Sequence, residues 1–111
     1  MNNSLTGRPL LAPDALLTVT VARETSDYAR LRCTGEIDQA TAPLFADALA
    51  DAVPGRRRVE VDLAEVAFMD SSGINALVQN RRPGCELVVV DVPPHIRRVL
   101  DITGLTGILC D

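Results

Sequence analysis

The sequence predicts an α/β fold in which a mixed sheet of four to five strands carries its α-helices on one face. Segments with a period of two residues alternate with segments of helical period, in the order strand, strand, helix, strand, helix, strand, helix. Several strand segments carry a polar or charged residue at every second position, which is typical of a sheet with one water-facing side. Strands separated by a helix need crossover connections, so at least part of the sheet is expected to be parallel.

The first two strands are predicted to form an antiparallel hairpin. Residues 17–21 alternate between Leu or Val and Thr, and residues 29–33 alternate between apolar residues and polar ones. Only the short polar link of residues 23–27 separates the two runs, which is typical of a hairpin. Arg30 and Arg32 are therefore expected on the water-facing side of the sheet.

The first helix is expected to follow Asp38 or Thr41, either of which can cap it, with Pro43 in its first turn. Its apolar residues recur at steps of three and four, which places them on one stripe of a helix. The members of this stripe are Leu44, Phe45, Ala48, Leu49, Ala52 and Val53. The pair Pro54-Gly55 is expected to end the helix.

The third strand decides which sides of the sheet the helices cover. Within residues 58–63, Arg58, Glu60 and Asp62 alternate with apolar residues. A strand that lies between two layers of helices is almost continuously apolar. The charged side of this strand therefore indicates that helices cover only the opposite face.

A short second helix is predicted after the third strand. Ile74, Leu77 and Val78 have the i, i+3, i+4 spacing of one helical face. The pair Pro83-Gly84 stops the pattern and limits the helix to about two to three turns.

The last part of the chain predicts one more strand and one more helix. Glu86–Val90 is the most apolar strand segment, and Pro93-Pro94 is expected to open the third helix. The inner stripe of that helix consists of Ile96, Val99, Leu100 and Thr103. Gly104 is expected to end the helix, and Ile108 and Leu109 to form either a short final strand or a packed tail.

Length and composition indicate one globular domain. The chain has 111 residues, of which 47% are hydrophobic and 23% charged, a balance that separates it from disordered chains. Residues 1–13 are expected to form a flexible N-terminal tail, and residues 14–111 the folded domain. The sequence shows neither a signal peptide pattern nor an apolar stretch long enough to span a membrane, so a cytoplasmic location is predicted.

Charge and cysteine usage argue against several classes of partner. The net charge of −4 and the scattered arginines predict no contact with nucleic acid. Cys33, Cys85 and Cys110 are odd in number and lack the Cys-x-x-Cys spacing. They are therefore interpreted as buried or incidental thiols, and neither a disulfide framework nor a metal site is predicted.

The sequence also lacks the patterns of common active sites. His95 is the one histidine, and its place just after Pro94 predicts a surface position at a helix start. No Gly-x-Ser-x-Gly elbow, phosphate-binding Walker loop or dinucleotide fingerprint is present. We therefore expect no catalytic residue, no cofactor and no enzymatic activity.

The most informative motif is Phe68-Met69-Asp70-Ser71-Ser72-Gly73-Ile74, which lies where the third strand turns into the second helix. Asp70 or Ser71 would serve as an ordinary helix N-cap. The same position suits a phosphorylatable switch, because free N–H groups and the helix dipole favour negative charge. Gly73 would permit a close backbone approach or a tight first turn. Asp38 and Asp70 are expected to meet, since each follows a strand and precedes a helix.

Three motifs in order give the chain a family resemblance. They are Thr34-Gly35-Glu36-Ile37-Asp38, the serine motif at residues 68–74, and Leu100-Asp101-Ile102-Thr103-Gly104-Leu105. From about Leu16 to Leu109, the chain resembles the STAS-domain anti-sigma factor antagonists of bacterial partner-switching systems. The resemblance implies the STAS fold, a mixed sheet with helices on one face.

The resemblance also implies a function. The unphosphorylated protein would bind an anti-sigma factor that is itself a serine kinase, and a sigma factor would be released. Phosphorylation of Ser71 by that kinase would end the complex, and a PP2C-type phosphatase would restore it. The residues that would shape the partner-binding site are Asp38, Asp70, Ser72, Gly73 and Ile74.

Three points stay open at this level. The chain could instead be a STAS scaffold subunit of a phospholipid-transport or stress-sensing complex, without a phospho-switch. Either a monomer or a weak dimer is expected. The stretch from Gly73 to Glu86 is also shorter than the family pattern, by about one helical turn.

Overall fold

The fold is a four-stranded mixed sheet, which the computed structural model describes over residues 16–109. The strands are β1 (Leu17–Glu24), β2 (Tyr28–Ile37), β3 (Arg58–Met69) and β4 (Glu86–Val90). The helices are α1 (Ala42–Ala52), α2 (Ser71–Gln79), α3 (Pro94–Ile102) and the single turn α4 (Thr106–Leu109). The tail expected at residues 1–13 lies outside the described residues.

The sheet has the order β1-β2-β3-β4. β1 and β2 pair antiparallel, whereas β2, β3 and β4 run parallel to one another. The hairpin and the parallel part of the sheet are therefore both confirmed. The helices α1 and α2 connect the parallel strands, which need crossover connections.

One aliphatic core holds the helices to the sheet. Buried side chains of every helix belong to the same hydrophobic cluster as alternate residues of the strands. The largest fully buried members include Leu31, Ile37, Phe45, Leu49, Leu63, Leu77, Ile96, Leu100 and Leu109. Since one cluster contains all these side chains, the helices lie on one face of the sheet, as predicted.

Some residues that periodicity assigned to the core are exposed. Leu44 is 49% exposed and Val78 is 41% exposed, although both fall on apolar helical stripes. Thr103, assigned to the inner stripe of α3, is exposed as well. Helical spacing gives the direction of the apolar stripe but not its width, which depends on the neighbouring elements. The C-terminal segment forms no strand but packs against the domain, as the second alternative predicted, because α4 is a helical turn with Leu109 buried.

The other face of the sheet carries a network of ion pairs. The guanidinium group of Arg30 contacts carboxylates of Glu60 at 2.9 Å, Asp62 at 3.1 Å and Asp91 at 2.7 Å. Arg58 contacts the second oxygen of Glu60 at 2.9 Å. Asp62 is only 6% exposed, so the expectation that this face is open to water is wrong at Asp62. Neighbouring charged side chains cover one another there, and a buried carboxylate needs such partners.

Glu60 lies at the centre of this network. The Tyr28 hydroxyl donates to Glu60 Oε1 at 2.6 Å, and Arg30 donates to the same oxygen at 2.9 Å. The hydrogen bond from Tyr28 is the main cause that lowers the pKa of Glu60, and the bonds from Arg58 and Arg30 add to it against the opposing effect of burial. The same hydrogen bond raises the pKa of Tyr28.

The two cysteines within residues 16–109 differ in burial. Cys33 is fully buried in the core, and burial raises its pKa to about 12, so it is a poor nucleophile. Cys85 is half-buried, while Cys110 lies outside the described residues. Over residues 16–109, no helix is long and apolar enough to cross a lipid bilayer.

We expect the Glu60→Gln variant to be less stable at neutral pH, by about 1–3 kcal/mol, because it loses charge-assisted hydrogen bonds in a part-buried network. Since the folded-state pKa of Glu60 is lowered, its contribution is present above the unfolded pKa of about 4.3 and is lost as pH falls through the folded pKa. The difference between wild type and variant should therefore shrink in urea unfolding at about pH 3.

Glu65→Gln is the matched control, because the exposed Glu65 of β3 makes no hydrogen bond or ion pair within residues 16–109. It should unfold like the wild type at both pH values. Equal losses of unfolding free energy in Glu60→Gln and Glu65→Gln would contradict the role assigned to Glu60.

Candidate functional site

The serine motif forms the start of α2, and Asp70 is its N-cap. The Asp70 carboxylate accepts a hydrogen bond from the Ser72 backbone N–H at 2.8 Å. The carbonyl of Asp70 accepts from the N–H of Gly73 at 3.1 Å. Of the two residues that could have capped the helix, Asp70 therefore has the role, and the capping does not depend on the Ser71 side chain.

Ser71 is the first residue of α2, and its side chain is exposed. Its hydroxyl makes no hydrogen bond to any other residue between 16 and 109. Ser72 is half-buried. Ser71 is thus the more accessible of the two hydroxyls and is not needed to hold the local fold.

Gly73 brings α2 into close contact with the ends of two strands. A Cβ atom at this position would lie 2.7 Å from Ile37 Cγ2 and 2.9 Å from Met69 Cγ. Both neighbours are buried, so neither side chain has free space into which to move. Of the two roles considered for Gly73, close approach is the one that the structure supports.

Asp38 organises the loop between β2 and α1. Its carboxylate accepts hydrogen bonds from the N–H groups of Ala40 at 2.9 Å and Thr41 at 3.1 Å. Thr41 occupies the N-cap position of α1, but its side chain makes no capping bond. The Thr41 hydroxyl instead accepts from the Asp38 N–H at 2.9 Å and donates to the Glu36 carbonyl at 2.8 Å.

The loop of Asp38 and the start of α2 are joined through the backbone. The N–H of Asp70 donates to the carbonyl of Ile37 at 3.2 Å. Two residues before Ile37, the backbone of Gly35 has φ +119°, and a Cβ atom at this position would lie 2.0 Å from the carbonyl oxygen of Leu16. Only glycine satisfies both conditions, so Gly35 lets β1 and β2 stay paired up to the loop.

Two surface depressions flank the start of α2. One is lined by Asp38, Gln39, Ala40 and Asp70, so the two aspartates meet as expected. The other is lined by Ser71, Ser72, Ile74, Asn75, Val78, Thr103 and Leu105. Gly73 is buried and Ile74 is only 5% exposed, so these two position the helix and contribute little surface.

The residues at 78, 103 and 105 were not among the predicted site residues. Val78 had been assigned to the core, where its helical spacing placed it. Thr103 and Leu105 belong to the last of the three motifs, and this is the signal that could have linked them to the serine. The position of Thr103 and Leu105 beside α2 depends on how α3 packs, which the local sequence does not specify.

The polar groups of this surface include hydroxyls and carboxylates. The lining of the two depressions includes the carboxylates of Asp38 and Asp70 but no histidine, lysine or arginine. Within residues 16–109, no three His, Cys, Asp or Glu side chains are grouped so that they could hold a metal ion.

Comparison with known proteins identifies the family. The family model described as "Mlab, STAS domain" matches residues 20–110. This chain belongs to the STAS-domain family of anti-sigma factor antagonists. The anti-sigma-B factor antagonist of Listeria monocytogenes is 31% identical over 98 residues, which cover 84% of this chain and 86% of that protein. The anti-sigma F factor antagonist of Paenibacillus polymyxa is 31% identical over 85 residues, which cover 71% of this chain and 73% of that protein.

The fold of this STAS domain also matches a solved structure. The crystal structure of an anti-sigma factor antagonist from Mycobacterium paratuberculosis has a TM-score of 0.70 and 28% identity. The match covers 90% of this chain and 87% of the other. The order of strands and helices predicted from the sequence is therefore that of a STAS domain.

We expect Gly73→Ala to destabilise this STAS domain by about 1–3 kcal/mol, because the added methyl group overpacks the contact with Ile37 and Met69. The control is Gly107→Ala, at a helical glycine with open space around its Cβ position. It should leave stability unchanged or raise it slightly, since alanine favours helix. Thermal and urea unfolding provide the measurement, and equal stabilities of the two variants would contradict the packing argument.

Proposed function

We propose that this STAS domain is an anti-sigma factor antagonist that binds its anti-sigma factor through the surface around Ser71. Binding takes place while Ser71 is unphosphorylated and releases a sigma factor from the anti-sigma factor. The observation that carries the proposal is the exposed Ser71 hydroxyl at the start of α2, which makes no hydrogen bond within residues 16–109. The names of the relatives support the same role.

In this proposal the anti-sigma factor is also the kinase. Its active site transfers the γ-phosphoryl group of ATP to Ser71 Oγ, releases ADP and takes up the hydroxyl proton through a base of its own. This STAS domain supplies only the acceptor, so it acts as a regulator and not as an enzyme. A PP2C-type phosphatase removes the phosphate, and the proteins meet in the cytoplasm.

A phosphate on Ser71 would weaken the complex by electrostatics and desolvation. It adds a charge of about −1.5 to −2. The N–H of Ser72 already bonds the Asp70 carboxylate, so the helix start holds a negative group before phosphate arrives. A further anion beside Asp70 repels acidic groups of a partner and must be desolvated on docking. A loss of about 3 kcal/mol would weaken binding roughly a hundredfold.

The domain itself should tolerate the modification. Ser71 is exposed and takes no part in capping, and the core contacts of α2 are made by buried residues behind it. The effect of phosphate is thus confined to the surface that the partner contacts.

We assign two kinds of role to the residues around Ser71. Asp38, Asp70 and Ser72 provide polar surface for the partner, and Gly73 and Ile74 hold α2 in position. Further contact is provided by three residues of the second depression, the apolar Val78 and Leu105 and the polar Thr103.

A second candidate function is that of a scaffold subunit in a phospholipid-transport or stress-sensing complex. It is retained because the description of the matching family model, "Mlab, STAS domain", does not mention an anti-sigma factor, whereas the curated relatives are described as antagonists. Under this alternative Ser71 is not turned over. Isolation of native complexes separates the two candidates: a transport ATPase bound to the chain would favour the scaffold.

The phosphorylation test uses the anti-sigma factor kinase from the same organism, ATP and intact-mass spectrometry. Wild type and Ser72→Ala should each gain a single phosphate, whereas Ser71→Ala should gain none. Labelling of Ser71→Ala, together with loss of labelling in Ser72→Ala, would show that the acceptor is the second serine.

The docking test measures the affinity for the anti-sigma factor by calorimetry. Val78→Lys should weaken binding about tenfold or more, because a charged side chain replaces an apolar contact beside Ser71. Gln79→Lys adds the same charge at the next exposed residue of α2 and should have little effect. Both variants should unfold like the wild type, and an unchanged affinity for Val78→Lys would contradict the proposed surface.

A further inference from the structure

The outer edge of β1 is a sheet edge whose charged residues, Arg23 and Glu24, lie only at its end. β1 is the first strand in the sheet order, and among the described residues only β2 pairs with it. Natural edge strands usually carry charges, proline or a bulge that discourages further pairing. Residues 17–21 contain neither a charge nor a proline, and the irregularity in pairing comes only between Val21 and Arg23.

The pairing with β2 shows which backbone groups reach this edge. The Leu16 carbonyl accepts from the Glu36 N–H at 2.7 Å, so residues 16 and 36 form a hydrogen-bonded pair. Such pairs alternate along an antiparallel ladder, which directs the N–H and C=O groups of Thr18 and Thr20 towards β2. The corresponding groups of Leu17, Val19 and Val21 therefore point away from the sheet.

Apolar side chains accompany these groups on the helix side of the sheet. A groove between β1 and α1 is lined by six apolar residues and three charged ones, which are Val19, Val21, Ala29, Leu31, Ala48, Ala52, Glu24, Asp51 and Arg56. Glu24 and Arg56 pair with each other at 2.6 Å. Val21 is 56% exposed. Leu44 lies one turn before Ala48 on the same side of α1 and is also exposed. Within residues 16–109, the edge thus combines backbone groups that no other strand pairs with and the exposed apolar side chains of Val21 and Leu44.

We propose that a second copy of this chain pairs with β1, antiparallel, about a two-fold axis at Val19. In that register Leu17 lies opposite Val21 of the second copy, and Thr18 lies opposite its Thr20. Apolar side chains then meet on one face and threonines on the other. Residues 17, 19 and 21 form three hydrogen-bonded pairs across the axis, each with two backbone bonds.

The sequence pattern favours a second copy over an unrelated strand. The segment Leu-Thr-Val-Thr-Val reads the same in both directions by residue class, so an isologous contact matches every position to one of its own class. No charged residue falls within residues 17–21, so the symmetric contact brings no like charges together. The result is one continuous sheet of eight strands, with Ser71 on different elements from the contact.

Sedimentation velocity of the full chain over a range of concentrations tests the dimer. Wild type should show a dimer that dissociates on dilution, and Val21→Lys should weaken it about tenfold or more. Ile102→Lys is the control, because it replaces another exposed apolar side chain, on α3, by the same charge. It should dimerise like the wild type. A wild type that is monomeric at every concentration, or a Val21→Lys dimer of unchanged strength, would overturn the proposal.

Amide hydrogen exchange shows which backbone N–H groups of β1 are covered in the monomer and in the dimer. The amides of Thr18 and Thr20 should be protected at all concentrations, whereas those of Leu17, Val19 and Val21 should gain protection only as dimer forms. Protection of the second set in a sample that sediments as monomer would show that the edge is covered within one chain. That result, like free exchange of the set in the dimer, would overturn the proposal.

Discussion

The close contact between α2 and the ends of β2 and β3 is the constraint on which the candidate site depends. Gly73 faces Ile37 and Met69 with no room for a side chain. The N–H of Asp70 bonds to the carbonyl of Ile37, so the same few residues join the two strand ends. Because this junction is packed and hydrogen-bonded, Ser71 sits on a rigid helix start while its own hydroxyl remains free. A site built in this way presents a modifiable group without using it for stability.

The two faces of the sheet are stabilised by different interactions. The helix-covered face carries the aliphatic core, and the opposite face carries ion pairs centred on Arg30 and Glu60. Charged side chains on that face satisfy one another, so they do not form a patch of one sign for a distant partner. In our proposals, partners bind at the end of the sheet near Ser71 and at the edge of β1.

Much of the fold could be predicted because each element has a local signal. Alternation located the strands, three- and four-residue spacing located the helices, and the charged side of β3 placed the helices on one face. The errors have a common origin. Leu44 and Val78 follow the helical stripe but are exposed, and Asp62 follows the polar alternation but is buried. Periodicity gives the direction of a side chain, whereas its exposure depends on elements distant in sequence. The short α2, with nine residues, agrees with the early stop at Pro83-Gly84.

The serine motif and its place before a helix could be read from the chain alone, because turns, caps and periodicity are local properties. The tertiary structure decided which residue caps the helix, which hydroxyl stays free and which surface surrounds it. Asp70 is the N-cap of α2, and Thr103 and Leu105, which follow α3, line the depression beside Ser71. These outcomes depend on the packing of α2 and α3 against the sheet, which is a contact between segments far apart in sequence. Local patterns carry no information about such distances.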